Sequence, residues 1–157
     1  MNPLYFYTKN VVFQEVPNEI SLSFSIAGCP RNCKNCSWKN EMNDERPKQL
    51  TNSLYNRYLN KYQGLASCVL FLGGEWNQQD LINKLKMAKQ KGYKTCLYTG
   101  CLLNEISDEL KNNLDFIKVG PYIEEKGGLN NPNTNQRFID LVNNKILNKY
   151  FIHQGAY

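Results

Sequence analysis

Ile20-Ser21-Leu22-Ser23-Phe24-Ser25-Ile26 runs directly into Ala27-Gly28-Cys29-Pro30-Arg31-Asn32-Cys33-Lys34-Asn35-Cys36. Regular alternation of apolar and polar side chains reads as a strand. Ala27-Gly28 lets the chain turn tightly out of it. Three cysteines spaced C-x3-C-x2-C therefore lie on a loop at the strand's carboxyl end, where open α/β folds bind ligands. Closely spaced thiolates are soft ligands for an iron–sulfur cluster or for zinc. Three is the informative number. A cubane cluster usually takes four cysteines; held by three, it leaves one iron open to a small molecule. A structural zinc site wants a fourth ligand close by, and the next cysteine is Cys68. Zinc completed by a distant cysteine is the rival reading, and free structural cysteines are the blandest one.

Outward from this loop, the chain alternates strand and helix. Tyr5 to Phe13 reads as a short edge strand, and Pro17-Asn18 as a turn. Glu19 to Ile26 is the first full strand. A long loop then runs to Pro47, and long loops in compact domains are often functional. Trp38 within it reads equally as a shield for a cluster or as an ordinary core aromatic. Thr51 to Tyr62 is a helix with Leu54, Tyr58 and Leu59 near one face, stopped at Gly64. Cys68-Val69-Leu70-Phe71-Leu72 is a continuous apolar run, the mark of a strand buried on both faces. Gln78 to Lys91 repeats Leu81, Ile82, Leu85 and Ala88 with helical period, and Gly92 stops it. Tyr93 to Tyr98 is a strand, Ile106 to Asn113 a short helix capped by Ser107, and Phe116 to Val119 a fourth strand.

Such a series is the pattern of βαβ units and a parallel sheet. Cys29, Gly73, Thr99 and Gly120 then sit at the carboxyl ends of the strands, on one edge. A closed eight-stranded barrel needs about 200 residues or more. The expected fold is therefore α/β, an open partial (β/α) barrel of parallel strands. It ends in either a hairpin about Asn143-Asn144, flanked by Gln136 to Leu141 and Ile146 to Tyr150, or a helix.

Residues 1–157 are expected to form a single domain, and 41% hydrophobic content is enough for a packed core. No apolar run approaches the length of a membrane span. The first residues lack the build of a signal peptide, which predicts a cytoplasmic protein with reduced thiols. The net charge of +5, from 19 basic against 14 acidic residues, is modest and scattered. It reads as a solvated surface, with no basic run interleaved with aromatics for nucleic acid.

Gly73-Gly74-Glu75 follows the buried strand. Glycines let a ligand approach the backbone, and Glu75 supplies a carboxylate for an ammonium. Alone, this is an ordinary turn with an acidic helix start. Beside a three-cysteine loop on a neighbouring strand, it carries more weight.

Together, Cys29, Cys33 and Cys36 and the Gly73-Gly74-Glu75 turn resemble the radical S-adenosylmethionine superfamily. The resemblance implies one 4Fe–4S cluster on the three cysteines, S-adenosylmethionine on the open iron, and its amino end at the Gly-Gly-Glu turn. One-electron cleavage gives methionine and a 5′-deoxyadenosyl radical that abstracts hydrogen. Where the superfamily often has an aromatic before the third cysteine, this chain has Asn35. Val12-Phe13-Gln14-Glu15-Val16-Pro17, Gly28-Cys29-Pro30, Lys118-Val119-Gly120-Pro121-Tyr122 and Thr134-Asn135-Gln136-Arg137 give a narrower resemblance, to activating enzymes of anaerobic (class III) ribonucleotide reductase.

That family implies a glycyl-radical partner, the large reductase subunit, and an electron donor such as flavodoxin or ferredoxin. It also implies Asn35, Cys36, Ser37, Gly73, Gly74 and Glu75 as cofactor contacts, with Thr99 and Lys118 as further candidates. For Lys118 the bland reading is a solvent-facing strand residue. Asn135-Gln136-Arg137 would dock the partner or order the last segment. Two alternatives stand beside the activase: a small radical enzyme acting on a free metabolite, of the 7-carboxy-7-deazaguanine synthase type, and a non-enzymatic iron–sulfur or zinc module. Cys68 and Cys96 read as buried apolar residues, Cys101 as a thiol on the active edge, and His153 as a terminal surface residue.

Overall fold

The computed structural model describes residues 3–28 and 46–152. Among these residues, eight strands form one open sheet. They are β1 (Tyr5–Val12), β2 (Ser21–Ile26), β3 (Lys48–Gln49), β4 (Cys68–Leu72), β5 (Lys94–Tyr98), β6 (Phe116–Val119), β7 (Arg137–Asp140) and β8 (Lys145–Ile146). Their order across the sheet is β3-β1-β2-β4-β5-β6-β7-β8. Three helices join the central strands: α1 (Asn52–Tyr62), α2 (Gln78–Gln90) and α3 (Asp108–Asn112).

The expectation of a parallel sheet holds for the middle only. β2, β4, β5 and β6 pair in parallel, whereas β1, β3, β7 and β8 add antiparallel. The reason lies in the connections. Parallel neighbours need a long crossover, usually helical, while antiparallel ones do not. α1, α2 and α3 supply crossovers for the central strands. No α-helix links β1 to β2 or β6 to β7.

The central order never reverses, so successive crossovers stay on one face. The helices accordingly bury Tyr55, Leu59, Leu81, Leu85 and Leu110 against Leu22, Phe24, Val69, Phe71, Leu97 and Ile117 of the strands. Hydrogen bonding at the helix starts fits the sequence. Thr51 Oγ1 accepts from the Leu54 N–H at 3.1 Å, and Ser107 Oγ from the Leu110 N–H at 3.2 Å.

The opposite face has a smaller core of Val16, Cys68, Leu70, Cys96, Phe116 and Phe138, with Val12, Leu129, Leu147 and Phe151 packed against it. Residues from both ends of the chain thus cover this face. Ser21, Ser23 and Ser25 of β2, also on this face, are buried despite their polarity. At the C-terminus the hairpin is the alternative that forms: β7 and β8 pair around a turn in which Asn144 takes φ 55°. The second arm is short, and a single 3₁₀ turn follows at Asn148–Phe151.

Candidate functional site

Cys29, Cys33, Asn35, Cys36, Ser37 and Trp38 lie outside the described residues, as does His153. The structure does locate where the cysteine loop begins. Gly28, the last described residue before Cys29, follows the carboxyl end of β2 with φ +90°. Gly73-Gly74-Glu75 leaves the neighbouring strand β4. Thr99 leaves β5, and Gly120 leaves β6. Parallel pairing puts all four chain ends on one edge. β7, being antiparallel, starts at the same edge and brings Asn135 and Gln136 to it.

Glu75 begins a 3₁₀ turn, Glu75–Asn77, that leads into α2, and its carboxylate therefore sits where the helix dipole favours an anion. Oε1 accepts a hydrogen bond from Thr99 Oγ1, with Cys101 Sγ 3.9 Å away. Thr99 Oγ1 in turn accepts from the Cys101 N–H at 3.0 Å. Oε2 is buried and has no hydrogen-bond partner among the described residues. A second buried acceptor, Asn135 Oδ1, is in the same condition, while its amide Nδ2 donates to the Pro121 carbonyl at 3.0 Å. Gly74 takes φ +115°, a left-handed conformation at the start of the turn. Beside Glu75 opens a cleft of about 220 Å³, walled by Trp76, Cys101, Ile106 and Leu110.

Lys118 is not the solvent-facing residue of the bland reading. It is 8% exposed, on the face opposite the helices, with Nζ 5.1 Å from the centroid of the Tyr98 ring. Burial raises the Tyr98 phenol well above its ordinary range, and its hydroxyl donates to the Glu15 carbonyl. Arg137 acts locally. Its Nη1 donates to the carbonyls of Thr134 at 2.6 Å and Gln136 at 2.8 Å, which orders the segment before β7.

Trp76, to which the sequence pattern assigns no role, bridges two strand ends. Its Nε1 donates to the Ala27 carbonyl at 3.2 Å. Nothing in the one-dimensional pattern marks that contact, because the two residues are 49 positions apart.

Among the described residues, no group of three His, Cys, Asp or Glu side chains could hold a metal ion. Cys68 and Cys96 are buried within β4 and β5. Burial pushes the Cys68 thiol up to about 12 and the Cys96 thiol well above its ordinary value. Cys68 also starts β4, opposite Ser21, at the edge away from Gly28. Five residues of strand separate Ser21 from Ile26, roughly 16 Å at strand rise.

A family model described as a 4Fe–4S single cluster domain matches residues 20–141. The chain belongs to that family. No curated protein and no solved structure matches it. The matched range of this 4Fe–4S single cluster domain runs from the residue before β2 through β7, and thus includes every strand end on the carboxyl edge. The donor chemistry fits the family, since Cys29, Cys33 and Cys36 supply three closely spaced soft ligands. Among the described residues, no helix is long and apolar enough to cross a membrane.

Proposed function

We propose that this chain is a radical S-adenosylmethionine activase that generates a glycyl radical on the large subunit of an anaerobic ribonucleotide reductase. Cys29, Cys33 and Cys36 hold the 4Fe–4S cluster. When bound, the cluster and S-adenosylmethionine together supply reductive sulfonium cleavage and hydrogen-atom abstraction. Glu75 receives the amino end of the cofactor, helped by the backbone of Gly73 and Gly74. Asn35, Ser37, Thr99 and Lys118 contact the remainder, Thr99 doing so while it fixes the Glu75 carboxylate. The reading treats the sheet as a partial barrel whose open side receives the partner, and it takes a flavodoxin or ferredoxin in the cytoplasm as the electron source.

The observation that carries this reading is Glu75 Oε2, a buried acceptor without a partner among the described residues, on the strand end adjacent to the start of the cysteine loop. An unsatisfied buried acceptor costs about 1–3 kcal/mol. An ammonium donor satisfies it, and the cofactor's amino group is one.

Anaerobic reconstitution tests the proposal. The protein should bind four irons with acid-labile sulfide and release 5′-deoxyadenosine when given dithionite and S-adenosylmethionine. Cys33→Ala should abolish that release. An intact cluster with no cleavage would falsify the activase, and stoichiometric zinc in protein never exposed to oxygen would replace it with a binding module. Turnover of a small molecule without a reductase would favour the free-metabolite enzyme.

A further inference from the structure

The proposed function gives no part to Trp76, which lies at the carboxyl edge. Its indole packs partly against the helix-side core, but its two ends reach elsewhere. At one end, Nε1 donates to the Ala27 carbonyl at 3.2 Å, two residues before Cys29. At the other, the six-membered ring lies against Gly73, where a Cβ would stand 2.5 Å from Cη2. A Cβ on Gly28 would come to 3.4 Å from Nε1. The space over Gly73 is thus filled by this ring, and glycine there is required by the ring's approach as well as by a φ of +90°.

The paired register of β2 and β4 ends at Ser25 and Leu72. Beyond it, the two chains depart toward the cysteine loop and toward Glu75. The geometry points to Trp76 as a positioning residue that fixes where the cysteine loop leaves the sheet relative to the Gly73-Gly74-Glu75 turn. The inference rests on the function proposed above. A small molecule held at once by the loop's metal and by Glu75 needs those two elements at a set separation, and a 1 Å error in such placement can cost about 10²-fold. Indole suits this role because it is large and rigid, apolar through its body and a donor at one end.

Trp76→Phe keeps an aromatic ring near Gly73 and removes the N–H. Reconstituted anaerobically beside the wild type, it should melt as a folded protein and bind the same iron. The S-adenosylmethionine concentration that half-converts the electron paramagnetic resonance signal of its reduced cluster should rise about tenfold. A folded, iron-loaded variant with the wild-type midpoint overturns the inference, as does a folded variant that has lost its iron. If Trp76→Phe does not fold, Trp38→Phe leaves Trp76 as the sole tryptophan of the chain. Its emission should shift as S-adenosylmethionine is added to the loaded protein, and an unchanged emission overturns the inference. A wild type that carries four irons but shows no spectral response to S-adenosylmethionine overturns the proposed function and this inference together. A normal wild-type response beside an unaltered Trp76→Phe overturns this inference alone.

Discussion

Asp115 and Glu75 stand at opposite edges of the parallel middle of the sheet, and their surroundings differ in kind. At the amino edge, Asp115 Oδ2 accepts from the Thr95 N–H at 2.9 Å and from Lys89 Nζ at 3.1 Å. Nearby, Glu19 pairs with Lys94 at 3.3 Å. Charge at that edge is matched within the fold. At the carboxyl edge, Glu75 Oε1 is held by Thr99 while Oε2 is buried with no partner among the described residues. Folding tolerates such a group only at a cost. A carboxylate matched by its own chain is there for stability. One left half-matched is suited to a donor from outside.

The sharpest way to break this contrast is Glu75→Gln. Hydrogen bonds to charged groups contribute about 1.5–3 kcal/mol, so on the proposed function S-adenosylmethionine binding should weaken by about 10- to 100-fold. The unfolding midpoint should hold or rise, because an orphaned charge is removed. Calorimetric titration and urea unfolding of the same loaded sample check both halves. Lost stability with intact binding would make Glu75 a structural carboxylate like Asp115.

Asp115→Ala is the mirror experiment. It leaves the Thr95 N–H and Lys89 without their acceptor, at a cost of about 1–3 kcal/mol, with the cofactor response unchanged. Urea midpoints measure the loss. A weakened cofactor response would mean that the two edges are coupled through β5 and β6.

Much of this architecture can be read from the residues. Cys68-Val69-Leu70-Phe71-Leu72 announces a strand buried on both faces, and all three helices start within a residue or two of where the cap residues Thr51 and Ser107 and the 3.6-residue period place them. β3 leaves no mark in the sequence, since two residues carry no periodicity and Lys48 and Gln49 are exposed. The alternation in β2 implies a half-wet strand, yet its serine side is buried. On that face Val16, Leu147 and Phe151 belong to one packed cluster, and no local window contains them together. The solvent-facing reading of Lys118 fails for the same reason. At the site, the Gly73-Gly74-Glu75 turn is legible as a motif, whereas the Thr99 hydroxyl that holds Glu75 and the Trp76 latch on Ala27 depend on which strands become neighbours.

Thiols give a gentler comparison of the edges. Cys68, at the amino edge, is protonated when folded because burial pushes its pKa up to about 12 from an ordinary value of 9.0. The unfolded chain releases that proton near pH 9. Above that pH the folded state binds more protons, so stability is complete below about pH 9 and falls as pH rises toward 12. One such group contributes a slope of about 1.4 kcal/mol per pH unit. Cys68→Ala should reduce the alkaline slope by that amount. It should not abolish the slope, since burial also raises Cys96, Tyr55 and Tyr98. Urea unfolding at several values between pH 8 and 11 measures it, and an unchanged slope would mean that water reaches Cys68.

The smallest effect asks whether the carboxyl edge depends on the helices behind it. Ser107 Oγ caps α3 through the Leu110 N–H, and Leu110 is buried in the wall of the cleft beside Glu75. Loss of an N-cap costs about 1 kcal/mol. α3 is only five residues long, too short to be stable by itself, so the cap and the burial of Leu110 together hold it. Ser107→Ala should lower the urea midpoint by that amount and leave the S-adenosylmethionine midpoint where it was. That outcome would place the Glu75 carboxylate under the control of Thr99 and the strand ends alone. A shift in the cofactor midpoint would instead make α3 part of the support of Glu75, and the contrast between the two edges would then be one of helix packing as well as of charge.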